Sequence, residues 1–128
     1  MRITICGGGN SAHVCAGYFA SKPDFIVNLL TRRPGDWSES VKVTTDLSSW
    51  ANRGSFIGKL NRISSDPGEV IPMAEVVLVC GPVHVHGLFA DAIAPHLTAG
   101  VLIGTIFAQG GFDWIVREAL RPEHLLKV

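Results

Sequence analysis

The chain carries no excess of charge. Eleven Lys and Arg balance eleven Asp and Glu, and charged residues make up only 17% of its 128 positions. A neutral balance sets up no global field toward nucleic acid or an anionic membrane, so any anion must be held locally. Cysteine is scarce as well. Cys6, Cys15 and Cys80 are an odd number with no C-x-x-C spacing, which argues against a disulfide framework and a zinc ribbon. All three lie in apolar stretches and read as reduced, buried thiols. No apolar run approaches the ~18 residues that cross a bilayer. The short run Ile3–Cys6 is interrupted by three glycines, Asn10 and His13 before a signal-peptide core forms. The expectation is a soluble, cytoplasmic domain without nucleic-acid or membrane partners.

What is present is apolar residues, at 47%, and fourteen glycines. This excludes disorder, which needs low hydrophobicity and high net charge. The length suits one domain, 1–128, with an ordinary hydrophobic core.

Arg2–Cys6 reads as a first strand ending in glycines. From Ser11 to Ser21 the period changes, with Ala12, Cys15, Ala16 and Phe19 on one helical face. Lys22-Pro23-Asp24 breaks the helix, and Ile26–Thr31 forms a second strand. This is a βαβ unit. Between Arg33 and Gly58 the pattern is weak: Pro34-Gly35 turns, Val41–Thr45 alternates, and Leu47–Asn52 fits a helical turn. Leu60–Ser64 is the expected third strand. Asp66-Pro67-Gly68-Glu69 starts a short helix ending near Ala74, with a capping carboxylate, Pro at N1 and Glu at N3.

Glu75–Cys80 reads as a strand buried on both faces. Gly87–Ala94 reads as a helix with Leu88, Phe89, Ala92 and Ile93 inward. Val101–Ile106 is the next strand, and the Ala108–Gly111 loop leads to a helix beginning near Asp113, its expected cap. On that helix Phe112 and Trp114 either pack or lie on a surface that another domain covers. Leu125–Val128 resembles a sixth strand beginning, so the chain is expected to be part of a longer protein. The alternation implies an α/β fold, a Rossmann-like doubly wound parallel sheet, truncated before a further domain.

Gly7-x-Gly9-x-x-Ala12 matches the G-x-G-x-x-G/A fingerprint of dinucleotide binding, directly after a strand and at a helix start. Gly7 permits a tight turn, Gly9 lets the backbone approach a pyrophosphate, and Ala12 keeps the helix close to the sheet. Free N–H groups and the positive helix end stabilise a diphosphate. Gly8, Asn10 and Ser11 complete the loop, the last two adding polar groups. No Gly-Lys-Ser/Thr follows, which excludes a Walker loop.

The end of the second strand separates NAD from NADP. An NAD site places Asp or Glu there, about 20 residues beyond the fingerprint. Here the strand ends Leu30-Thr31-Arg32-Arg33. Thr31, Arg32 and Arg33 are therefore assigned to the cofactor, with an arginine pairing to the 2′-phosphate of NADP. Solvated loop arginines are the bland alternative, NAD bound through other contacts a second, and FAD a third.

Three segments together resemble the opine (octopine/nopaline) dehydrogenase family: Ile5–His13, Val79–His84, and Phe107–Trp114 with its Gln109-Gly110-Gly111 core. The resemblance implies a cofactor-binding domain of an NAD(P)H-dependent oxidoreductase that joins an amino acid to a 2-keto acid by reducing the imine between them. It also implies a separate C-terminal helical domain carrying substrate binding and a catalytic His–Asp pair, so no catalytic residue is assigned here. It carries nicotinamide-side roles to Gly81, Pro82, Val83 and Gln109. The alternatives are another two-domain reductase, of ketopantoate reductase or glycerol-3-phosphate dehydrogenase type, and a non-catalytic NAD(P)-binding regulatory module. His84 and His86 alternate like metal ligands but have no partnering acid or cysteine, and no metal is expected. His13 reads either as a general acid or as a packed or surface histidine.

Overall fold

The computed structural model describes residues 1–44 and 54–120. The elements are β1 (Arg2–Cys6), α1 (Asn10–Ala20), β2 (Ile26–Leu30), β3 (Ser40–Thr44), β4 (Ser55–Lys59), β5 (Arg62–Ser64), α2 (Pro67–Val70), β6 (Val76–Val79), α3 (Val83–Ile93), β7 (Leu102–Thr105) and α4 (Phe112–Ala119). The expected helical turn at Leu47–Asn52 and the strand at Leu125–Val128 lie outside the described residues.

Five strands form one parallel sheet in the order β5-β2-β1-β6-β7. The chain builds outward from β1 in one direction, then returns and builds in the other. The strand order therefore reverses between β1 and β6, the position at which such sheets open a crevice beyond the carboxyl ends of their strands. Backbone bonds carry the ladder just past the strands: Gly7 N–H donates to the Leu30 carbonyl (2.9 Å), Thr31 to Ser64 (2.9 Å) and Cys80 to Cys6 (2.7 Å). The residues at these ends are thus held as firmly as the strands themselves.

Period-two alternation sends Ile3 and Ile5 to one face of β1, and Thr4 and Cys6 to the other. On the first face Ile5, Leu29, Ala12 and Ala16 are fully buried. Burying an Ile or Leu side chain contributes about 1.5–3 kcal/mol. On the second face Cys6, Val77, Val79, Val70 and Ile93 pack under α2 and α3. Thr4 is a buried polar residue there, and its hydroxyl donates to the Val70 carbonyl at 2.6 Å.

Several expectations shift. The region between β2 and β5 holds an antiparallel hairpin of β3 and β4, paired from Ser40↔Lys59 to Thr44↔Ser55. The expected strand Leu60–Ser64 is shorter, Arg62–Ser64, with β4 immediately before it. The hairpin lies against α1 at glycines: a Cβ on Gly17 would stand 2.5 Å from Val43 Cγ2. Helix α1 is therefore held on two sides, by the sheet and by the hairpin.

Helix α2 stops at Val70 rather than near Ala74; Asp66 caps it, accepting from Gly68 N–H at 2.8 Å. In β6, Val77 and Val79 are buried but Val76 and Leu78 are half-buried, so burial is complete on one face only. Helix α3 begins at Val83 instead of Gly87 and turns His86, Ala90 and Ile93 inward, leaving Leu88 and Ala92 exposed. The cap of α4 is Gly111, at φ +79°, not Asp113, which lies in the first turn. Phe112 is buried there and packs in the core, while Trp114 is exposed. No helix among the described residues is long and apolar enough to cross a membrane.

Candidate functional site

The ends of β1, β2 and β6 and the residues after β7 wall one cleft of about 1390 Å³. Its floor is the glycine loop. Gly7 stands at φ +152°, and a Cβ there would collide with the Cys80 carbonyl oxygen. A Cβ on Gly8 would stand 3.0 Å from Thr31 Oγ1. Gly9 differs from both: a Cβ on it would meet nothing within 4 Å. Packing within the chain thus accounts for glycine at 7, and with a tight contact at 8, but not at 9.

Gly9 is the N-cap of α1, and no side chain caps that end. The first turn of α1 contains no acidic residue. Its orphan N–H groups and the positive end of the helix face the cleft without a carboxylate to neutralise them, which suits a diphosphate. Asn10 and Ser11 also line the cleft. Ala12 does not; it is fully buried beneath the loop, where it packs against the sheet.

At the end of β2, Thr31 is buried, and Arg32 and Arg33 are exposed along the cleft wall. Among the described residues neither guanidinium has a hydrogen-bond or ion-pair partner. The turn Pro34–Asp36 brings Asp36 to the same wall. Sequence reasoning stopped at the strand end and missed this carboxylate. The signal available was the Pro34-Gly35 turn, which folds the chain back. Trp37, also missed, lines the cleft beside His13, with ring centroids 5.7 Å apart. His13 Nε2–H donates to the Lys42 carbonyl at 2.9 Å, so this histidine ties α1 to the hairpin.

On the opposite wall stand Gly81 and Pro82, with Gln109 beyond β7. Val83 begins α3 and is half-buried without lining the cleft. Gln109 adopts φ +44°, unusual for a side-chain-bearing residue, followed by Gly110 and Gly111 both at +79°. His84 lines the cleft, whereas His86 is buried. No group of three or more His, Cys, Asp or Glu among the described residues is placed to hold a metal.

The cysteines gather under this floor. Burial pushes the Cys6 thiol up to about 12. Burial also raises Cys15 and Cys80, and the charge of Cys15 raises Cys80 further. All three are free, consistent with thiols that are structural rather than reactive.

No family model matches the chain. It is 32% identical over 134 residues to an opine dehydrogenase of Haliotis discus hannai, an alignment covering 96% of this chain and 33% of that protein. A solved octopine dehydrogenase in complex with NADH and pyruvate superposes with a TM-score of 0.89 at 26% identity, covering 97% of this chain and 33% of the other. The chain matches the N-terminal domain of the opine dehydrogenases. It spans about a third of the length of these relatives. A ketopantoate reductase from Ralstonia eutropha shares the fold less closely, with a TM-score of 0.65 at 22% identity over 92% of this chain and 38% of the other. The opine dehydrogenase likeness thus runs through both sequence and structure, the reductase likeness through fold alone.

Proposed function

We propose that this domain binds the nicotinamide dinucleotide of an opine dehydrogenase, an oxidoreductase that condenses an amino acid with a 2-keto acid. The observation carrying the proposal is the uncapped, acid-free N-terminus of α1 behind Gly9, whose missing side chain no contact among the described residues requires. In this reading Gly7, Gly8, Gly9, Asn10, Ser11 and Ala12 form the diphosphate cradle. Thr31, Arg32 and Arg33 take the adenosine side, and Gly81, Pro82 and Gln109 the nicotinamide side, with Val83 behind them at the start of α3. A reduced nicotinamide supplies hydride to the imine when bound. The domain's own residues bind, orient and shield it.

We assign NADP ahead of NAD. Two arginines at the end of β2, without side-chain partners among the described residues, suit a 2′-phosphate, and Asp36 on the same wall is the group that would instead favour the NAD ribose. Titration of the 128-residue chain with NADPH, NADH and FAD, followed by ligand fluorescence, tests both points. NADPH is expected to bind tightest, and a folded chain that binds none of the three would overturn the reading. For the reaction class, the assay is NADPH oxidation with pyruvate plus an amino acid against pyruvate alone. Turnover without an amine would favour reduction of a carbonyl, as in a ketopantoate reductase.

A further inference from the structure

His86 is wholly buried on the inward face of α3, beside the small Ala90 and the aliphatic Ile93. Its Nε2 lies 3.0 Å from the Gly81 carbonyl oxygen. A carbonyl can only accept, so Nε2 carries a proton, and in the neutral imidazole Nδ1 is then a bare acceptor. That Nδ1 has no partner among the described residues. The ring also meets Phe112 edge-on, with centroids 5.1 Å apart and planes at 84°. Phe112 follows directly on the Gln109-Gly110-Gly111 loop.

Packing alone does not select such a residue. A phenyl or aliphatic side chain would fill the space and leave no orphan acceptor in the interior. What the imidazole adds is a bond to Gly81, made from a ring that also touches the start of α4. One side chain thereby joins two segments behind the same wall of the cleft that are distant in sequence: the turn after β6 and the start of α4, which follows the loop after β7.

We infer that His86 is a positioning residue, which holds the Gly81 carbonyl and the Gln109–Phe112 segment at the spacing needed by the nicotinamide half of a dinucleotide. The inference rests on the proposed function of the cleft and deepens it. The adenine half and diphosphate lie on the other side, against Gly9 and Arg32, and do not depend on this linkage. Loss of the bond is therefore expected to separate two affinities that a general weakening of the fold would lower together.

The test is calorimetric titration of the full chain with NADPH and, separately, with ADP, which carries only the adenine half and the diphosphate. His86→Phe keeps the ring and its edge contact but cannot donate to Gly81. It is expected to weaken NADPH about tenfold, the scale of one lost hydrogen bond, while ADP stays within about twofold. His86→Gln places an amide donor at similar reach and is expected to recover NADPH binding to within about threefold of the parent.

Unchanged NADPH affinity in His86→Phe, or equal losses for NADPH and ADP, would overturn the assignment while leaving the dinucleotide site standing. A parent chain that binds neither ligand would overturn the site reading, and this inference with it. Should His86→Phe fail to fold, imidazole nitrogen resonances of the unmodified chain decide. The expected result is the Nε2–H tautomer, with shifts that move on adding NADPH and stay in place on adding ADP. Equal movement with both ligands, or none with NADPH, would refute it.

Discussion

Gly7 and Ala12 face each other across the first turn of the glycine loop: a Cβ built on Gly7 would stand 3.2 Å from that of Ala12. The same atom would collide with the Cys80 carbonyl oxygen at the end of β6. Two central strands and the first helix therefore meet at a point with no room for one methyl group. This contact sets the depth of the cleft floor, and it separates two kinds of glycine in a single motif.

Gly7→Ala and Gly9→Ala are accordingly expected to fail differently. The first should lower unfolding free energy by about 1–3 kcal/mol, as overpacking of a tight site does. The second should leave the unfolding free energy within about 0.5 kcal/mol of the parent, as expected where no contact is disturbed. It should nonetheless weaken NADPH binding, since its methyl group would point into the space a diphosphate takes. Equal effects of the two substitutions on stability would contradict this division.

Arg32→Ala is expected to cost NADPH on the order of 1.5–3 kcal/mol, the usual size for a hydrogen bond to a charged group. NADH, lacking the 2′-phosphate, should change much less. Asp36→Asn should move the balance further toward NADPH by removing a like charge from the same wall. Parallel fluorescence titrations with the two cofactors measure both effects, and an Arg32→Ala chain with the parent's NADPH affinity would refute the NADP assignment.

Burial of the thiols links stability to alkaline pH. The Cys6 thiol titrates near 9.0 when unfolded and is pushed up to about 12 in the fold. Above pH 9 unfolding therefore releases a proton, and the stabilisation present below pH 9 is lost as pH rises toward 12. One such group gives a slope of about 1.4 kcal/mol per pH unit. Urea denaturation at pH 8, 9 and 10 should show the decline, and Cys6→Ala should flatten it. A Cys6→Ala chain with the parent's slope would contradict the assignment.

Gly58→Ala probes the hairpin. A Cβ at this position would collide with the Gly17 carbonyl oxygen and stand 2.7 Å from Ala20 Cβ, both in or beside the backbone of α1. A loss of about 1–3 kcal/mol is expected, because a helix backbone cannot give way as a side chain can. A midpoint equal to the parent's would mean that the hairpin does not hold α1 as described.

The central sheet was legible because continuous or alternating apolar runs end in glycine, proline or a capping acid. The β1–loop–α1–β2 unit and the cap at Asp66 follow directly from such signals. The hairpin was hidden because its second strand, Ser55–Lys59, carries a glycine that the approach of α1 requires. Alternation at Val41 and Val43 was visible, but not its partner. The face of α3 was legible in part, with Ile93 buried and Phe89 packed against the core as expected. The helix was expected to begin at Gly87, with Leu88, Phe89, Ala92 and Ile93 inward. Burial of His86 starts the helix at Val83 and rotates Leu88 outward. Asp36 and Trp37 escaped notice because their approach to the cleft depends on a turn, not on a periodic pattern.

The placement of α1 between sheet and hairpin has a thermodynamic consequence. A helix end that is clamped before an anion arrives spends little free energy on ordering when it binds. Beyond the orphan first turn, the helix amides should already be slow to exchange with solvent in the free chain, and a diphosphate should add little to that protection. Affinity at this end of the cleft then comes from rigidity already present in the fold. Any change of shape on binding is left to the opposite wall, where Gln109 and two glycines hold a left-handed run in front of α4.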